Sequence, residues 1–130
     1  MKSRKLLPTD YEQLCEWWIG WRWAVPPPTT MLSDLGVMIS NDDVNICAGF
    51  LYLMNKETVG WFTFPVSNPT VRGIERKEGM KMLVKEIEKI AKENGVLHLY
   101  SALRNPSMIS LQKENGYVAN GGYTELIKNI

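Results

Sequence analysis

His98 is the single histidine of the chain. Imidazole is the side chain best suited to take and return a proton near neutrality, so this residue is a candidate general base. The competing reading is a structural or exposed residue of an alternating strand. Cys15 and Cys47 lack CxxC spacing, so neither a disulfide framework nor a metal site is expected. Cys47, in an apolar run, reads as a small buried hydrophobe rather than a nucleophile. Glu57 falls in a turn and reads as a solvated charge. Trp17, Trp18, Trp21 and Trp23 crowd around Arg22, and aromatic walls with one cation suit an apolar or aromatic molecule. Against that stands the alternative that two or three of them pack on a sheet.

The elements that would carry these residues can be read from periodicity. Thr9 or Asp10 is placed to cap a helix whose stripe is Tyr11, Leu14, Cys15 and Trp18, weakened at Gly20 and stopped by Pro26, Pro27 and Pro28. Apolar, β-branched and aromatic runs at Gly36–Ile39, Asn45–Met54 and Val59–Val66, broken at Asn41–Asp43 and Asn55–Glu57, predict an antiparallel meander. From Lys77 to Asn94 the period becomes helical, with Met80, Leu83, Val84, Ile87, Ile90 and Ala91 on one face. Asn94-Gly95 stops that helix, and Val96–Ala102 follows as a strand, implying a parallel crossover. Asn105 as N-cap, Pro106 at the first position and Gly116 past the end delimit a last helix, and Tyr117–Ile127 has room for one or two edge strands.

Length and charge bound the function. A chain of 130 residues with 45% hydrophobic and 22% charged residues fits a single globular domain spanning 1–130. Fifteen basic against fourteen acidic residues leave a net charge of +1, which argues against a dedicated nucleic-acid binder. The N-terminal segment lacks a secretory apolar run and no window approaches the ~20 apolar residues of a membrane span, so a cytoplasmic protein without membrane attachment is expected.

The order helix, three strands, helix, strand, short helix, strand resembles the GNAT fold of the Gcn5-related N-acetyltransferases, a mixed α/β sheet with antiparallel N-terminal strands, a βαβ crossover and a short C-terminal helix. The run Asn105-Pro-Ser-Met-Ile-Ser-Leu-Gln-Lys-Glu-Asn-Gly116-Tyr117 is similar to the final motif of that family. The segment Val66-Ser-Asn-Pro-Thr-Val-Arg72-Gly73-Ile-Glu75-Arg76-Lys77 stands where the family carries its pyrophosphate loop, with Glu75 and Lys77 at positions where the family repeats glycine. The resemblance is nearest to small stand-alone GNAT-like proteins of bacteria and their phages.

The resemblance implies an acetyl-coenzyme A-dependent N-acetyltransferase transferring directly to a small-molecule or peptide amine. Its cofactor-binding residues would be the Val66 backbone, Arg72, Gly73, Arg76, Lys77 and Asn105. A helix N-terminus after a strand offers amides and a positive dipole end to a diphosphate, which Glu75 and Glu78 would oppose if they faced it. The acceptor pocket would draw on Trp17, Trp21 and Trp23. His98, Tyr100 and Tyr123 are the candidates for proton transfer, the tyrosines against a competing role in strand packing. Gln112 occupies the position where the family commonly has a tyrosine acid, and Tyr117 that of its closing aromatic. The alternative is a non-catalytic protein-binding module of the same fold. An edge strand near the C-terminus invites homodimerisation by sheet extension.

Overall fold

A computed structural model describes residues 1–56, 58–122, 124, 126 and 128. The elements in chain order are β1 (Lys2–Lys5), α1 (Tyr11–Gly20), β2 (Leu35–Asn41), β3 (Val44–Leu53), β4 (Val59–Ser67), α2 (Gly73–Glu93), β5 (His98–Ser101) and α3 (Pro106–Glu114), with short 3-10 turns at Pro8–Asp10 and Thr29–Met31. The strands form one sheet in the order 1-2-3-4-5, antiparallel except for the parallel pair β4–β5.

Periodicity locates most of these elements and misses β1. Its four residues alternate no apolar side chains, because an edge strand needs only its backbone to pair, here Lys2 opposite Ser40 through Lys5 opposite Val37. Asp10 stands at the N-cap of α1 but does not cap it. Its carboxylate instead accepts a two-pronged bond from Arg4 at 2.8 and 2.9 Å and one from the Leu7 amide at 2.8 Å, fastening β1 to the start of α1. The β2–β3 hairpin turns at Asp42 and Asp43, both left-handed with φ of 48° and 67°, the geometry of the two-residue turn that matches strand twist.

The sheet carries a layer on each face. Leu83, Val84, Ile87 and Ala91 of α2 pack with Ile39, Cys47, Leu51 and Phe62, and Met108 and Leu111 of α3 join that cluster. Leu14, Trp17 and Trp18 of α1 pack with Met38, Ala48, Phe50 and Val66 in a second one. Gly79 lets α2 approach β3, since a Cβ there would stand 2.6 Å from Ile46 Cγ2. The α2 helix begins at Gly73, four residues before the predicted start at Lys77, because an exposed first turn carries no apolar stripe to reveal it. β5 is shorter than the predicted Val96–Ala102, as Val96 is held by the α2 carbonyl of Ala91 at 3.0 Å. The edge strands expected over Tyr117–Ile127 are not formed by the described residues of that stretch.

Candidate functional site

β4 changes character halfway along. Ala48 lies opposite Val66 and Phe50 opposite Thr63, so Gly49 faces two residues, Phe64 and Pro65, in a β-bulge. Phe64 is left-handed with φ of 51°, a conformation that a bulky residue adopts only where its surroundings demand it. The bulge breaks the alternation of faces. Residues two apart in a strand share a face, yet Phe62 packs in the α2 cluster while Phe64 and Val66 pack on the α1 side. Pairing with β5 covers only Val59–Phe62, from Val59 opposite His98 to Phe62 opposite Ser101. Beyond that point no strand among the described residues lies along the outer side of Thr63–Ser67, and Pro65 has no amide to offer one.

The carboxyl ends of the parallel strands β4 and β5 each lead into a helix, so the N-termini of α2 and α3 gather at the same end of the sheet. The loop into α2 is built on Asn68, which is buried. Its amide nitrogen Nδ2 donates to Asn45 O at 2.9 Å, and its Oδ1 accepts from the Thr70 backbone amide and hydroxyl at 3.0 and 2.8 Å. Asn45 in turn donates to Gln13 of α1 at 2.7 Å. This network holds the loop in one shape before Arg72, whose side chain does not cap α2, and Gly73, whose φ of 65° favours glycine. The first amides of α2 have no partner within the helix and carry its positive dipole end.

Both acidic residues of this first turn region are engaged elsewhere. Glu75 accepts from Asn41 at 3.2 Å, and Glu78 pairs with Lys81 at 3.5 Å. Arg72 and Arg76 line a concavity of about 350 Å³ with Gly20, Trp21 and Pro69. Trp21 donates from Nε1 to Ser67 O at 2.7 Å, and the Arg76 guanidinium lies 5.3 Å from the centroid of its ring. Trp21 thus ties the end of α1 to the end of β4 and orients Arg76. Lys77 is exposed on the same turn of α2. Asn105 caps α3, its Oδ1 accepting from the Met108 amide at 3.1 Å.

On the α1 side of the sheet, rings form a continuous row. Centroids are 6.0 Å apart for Trp18–Trp23, 6.3 Å for Trp23–Phe64, 6.2 Å for Phe64–Tyr52, 6.2 Å for Tyr52–Trp61 and 6.1 Å for Trp61–Tyr100. The row runs from the buried Trp18 past the bulge to Tyr100, which is 49% exposed. Sequence reasoning found the tryptophans near α1 but not this row, since four strand and loop segments contribute to it and only pairing brings them together. Trp17 is buried in the α1 cluster rather than on an open wall, Trp21 lies at the loop concavity, and Trp23 belongs to the row.

The remaining candidates are dispersed. His98 is exposed opposite Val59, at the end of β4 away from the bulge and about 20 Å from Pro65 at the rise of an extended strand. Tyr123 and Glu57 lie outside the described residues. Gln112 is buried, with its Nε2 unpartnered, and the Tyr117 hydroxyl is also buried without a partner. Burial, with the nearby Glu88 charge, pushes the Tyr117 phenol up to about 12. Burial likewise raises the Cys47 thiol to about 12, as suits an inert core residue. Among the described residues no group of three His, Cys, Asp or Glu could hold a metal ion, and no helix is long and apolar enough to cross a membrane.

The fold is shared with solved acetyltransferases. An aminoglycoside 6'-N-acetyltransferase from Acinetobacter haemolyticus superposes with a TM-score of 0.66 at 14% identity, over 100% of this chain and 99% of that one. An acetyltransferase from Trypanosoma brucei gives 0.66 at 15% identity, covering 98% and 99%. The N-acetylglutamate synthase of Neisseria gonorrhoeae, complexed with coenzyme A and N-acetyl-glutamate, gives 0.69 at 12% identity over 86% of this chain and 27% of that one. The chain has the GNAT acetyltransferase fold. No family model matches the sequence, and no curated protein matches it. At these identities the GNAT likeness is a likeness of fold.

Proposed function

We propose that this chain is an N-acetyltransferase that takes acetyl-coenzyme A as acyl donor and transfers directly to an amine. One observation carries the reading: the bulged, one-sided half of β4 ends at a helix N-terminus whose acidic residues are drawn aside, leaving Arg72 and Arg76 at the concavity. An extended pantetheine arm fits along the open edge of β4 as an added strand does, and the diphosphate fits the first amides of α2 with Arg72, Gly73, Arg76 and Lys77 around it. Asn105, whose Oδ1 is committed to the cap, offers its amide nitrogen. The Val66 amide expected to serve the thioester carbonyl is instead turned toward β3, since Asn68 N donates to Ile46 O and Val66, opposite Ala48, faces the same way in that register.

In the transfer the free amine attacks the thioester carbon, a C–N bond forms, the C–S bond breaks, and sulfur leaves with the bonding pair. The acceptor's surplus proton passes to water. With Gln112 buried and unable to act as an acid, sulfur departs as a thiolate. Since a free thiol has a pKa of about 8.5, that costs only about 2 kcal/mol near pH 7.

Thermal unfolding with and without acetyl-coenzyme A tests binding: ligand at 100 times its dissociation constant adds about 2.7 kcal/mol, several degrees for a domain of this size. Amine-dependent release of free thiol then tests transfer. No shift at millimolar ligand overturns the reading in favour of a non-catalytic binding module, which the glutamine at position 112 favours.

A further inference from the structure

We propose that Trp21 is a positioning residue for the donor's phosphates, acting through Arg76. The inference rests on the transferase reading above and extends the donor site across the sheet. Trp21 ends α1, whose layer packs on one face, while Arg76 stands near the start of α2, whose layer packs on the other. The two meet at the end of β4, where the Arg76 guanidinium lies over the Trp21 ring at 5.3 Å and both line the concavity.

The way Arg76 is held decides what it can still do. A ring attracts the cation without neutralising it, whereas a carboxylate would pair with its N–H groups and cancel its charge. Arg76 has no ion pair among the described residues, so its charge remains for a phosphate. The ring is itself fixed. Its Nε1 donates to Ser67 O at 2.7 Å, and the neighbouring Gly20 stands so close to the loop that a Cβ there would lie 2.9 Å from Pro69 Cγ. An arginine gives up rotamer freedom when it grips a ligand, and one already held gives up less. Arg72 lines the same concavity without an aromatic partner among the described residues, and so serves as the control.

Calorimetric titration of the full chain with acetyl-coenzyme A, arranged as double-mutant cycles, tests this. Trp21→Leu, which keeps an apolar side chain but no ring, should weaken the donor about fivefold, and Trp21→Phe, which keeps a ring but no N–H, only about twofold. In an Arg76→Ala background Trp21→Leu should cost nothing further, whereas in an Arg72→Ala background it should again cost about fivefold. A Trp21 that only supports the fold would weaken the donor equally in all these backgrounds. That result, or a Trp21→Leu protein that binds as the parent does, overturns the inference and leaves the transferase reading standing. Should Trp21→Leu fail to show a folding transition, Trp21→Phe in the same backgrounds decides, its loss vanishing with Arg76→Ala if the proposal holds and persisting if it does not. A parent that binds no acetyl-coenzyme A overturns both claims.

Discussion

At the scale of single residues, side chains are legible in sequence but their partners are not. Asp10 has the type and position of a helix cap, and its carboxylate goes instead to Arg4 and the Leu7 amide because β1, hidden in a basic lead, brings Arg4 beside it. The Arg4 guanidinium holds the Asp10 carboxyl below its ordinary range, outweighing the opposing effect of burial. A carboxyl depressed in the folded state binds fewer protons there than in the unfolded chain, so its contribution is full above the unfolded value of about 3.9 and fades as pH falls through the folded one. Asp10→Ala should therefore cost about 1–2 kcal/mol at pH 7, reduced from a fully buried case because Arg4 is partly exposed. Urea unfolding of both proteins should show the gap narrowing below about pH 4. A gap that persists unchanged at pH 2 would assign the cost to packing instead.

Elements obey backbone geometry that residue type only partly reveals. The hairpin break at Asn41–Asp43 was visible as a cluster of turn formers, but its left-handed Asp42 and Asp43 were not. Glycine adopts that conformation without the penalty, so Asp43→Gly should raise stability by about 0.5–1 kcal/mol, read as a higher melting temperature. Gly79→Ala should do the reverse even though alanine is the better helix former, because the added methyl meets Ile46 Cγ2 within the packed α2–β3 contact. Overpacking of this kind typically costs about 1–3 kcal/mol, against the roughly 1 kcal/mol gained in propensity. A melting temperature raised by Gly79→Ala would show that α2 can lift off the sheet freely. The same distinction explains what periodicity found: the long stripe of α2 announces itself, whereas the β4 bulge leaves its trace only in a change of face between Phe62 and Phe64 that sequence alternation does not display.

For the whole molecule, the order of elements was enough to suggest the fold, while the site depends on what pairing brings together. Arg72 and Arg76 are four positions apart across the start of α2 and readable in sequence. That Glu75 turns to Asn41, that Glu78 turns to Lys81, and that Trp21 aligns Arg76 are tertiary facts. They convert a chain of net charge +1 into one with a local positive patch at the end of the sheet. Attraction between that patch and a polyanionic donor is screened with a Debye length of about 10 Å at 0.1 M salt and about 3 Å at 1 M. The acetyl-coenzyme A shift should accordingly shrink between 0.1 and 1 M salt under our functional reading. Arg72→Ala, which removes a charge with no ion-pair partner among the described residues, should weaken the donor about tenfold, as loss of one charge-assisted bond implies. It should leave the ligand-free melting temperature within about a degree or two, because an exposed side chain away from packing contributes little to stability. Asn41→Ala carries the converse test, since the Glu75 carboxylate, charged in both proteins, is then no longer held aside and can approach the first amides of α2, and donor affinity should fall without any contact to the donor having been removed. Unchanged affinity in Asn41→Ala would mean that the Glu75 carboxylate does not bear on the site, and the cleft's charge would then rest on the arginines alone.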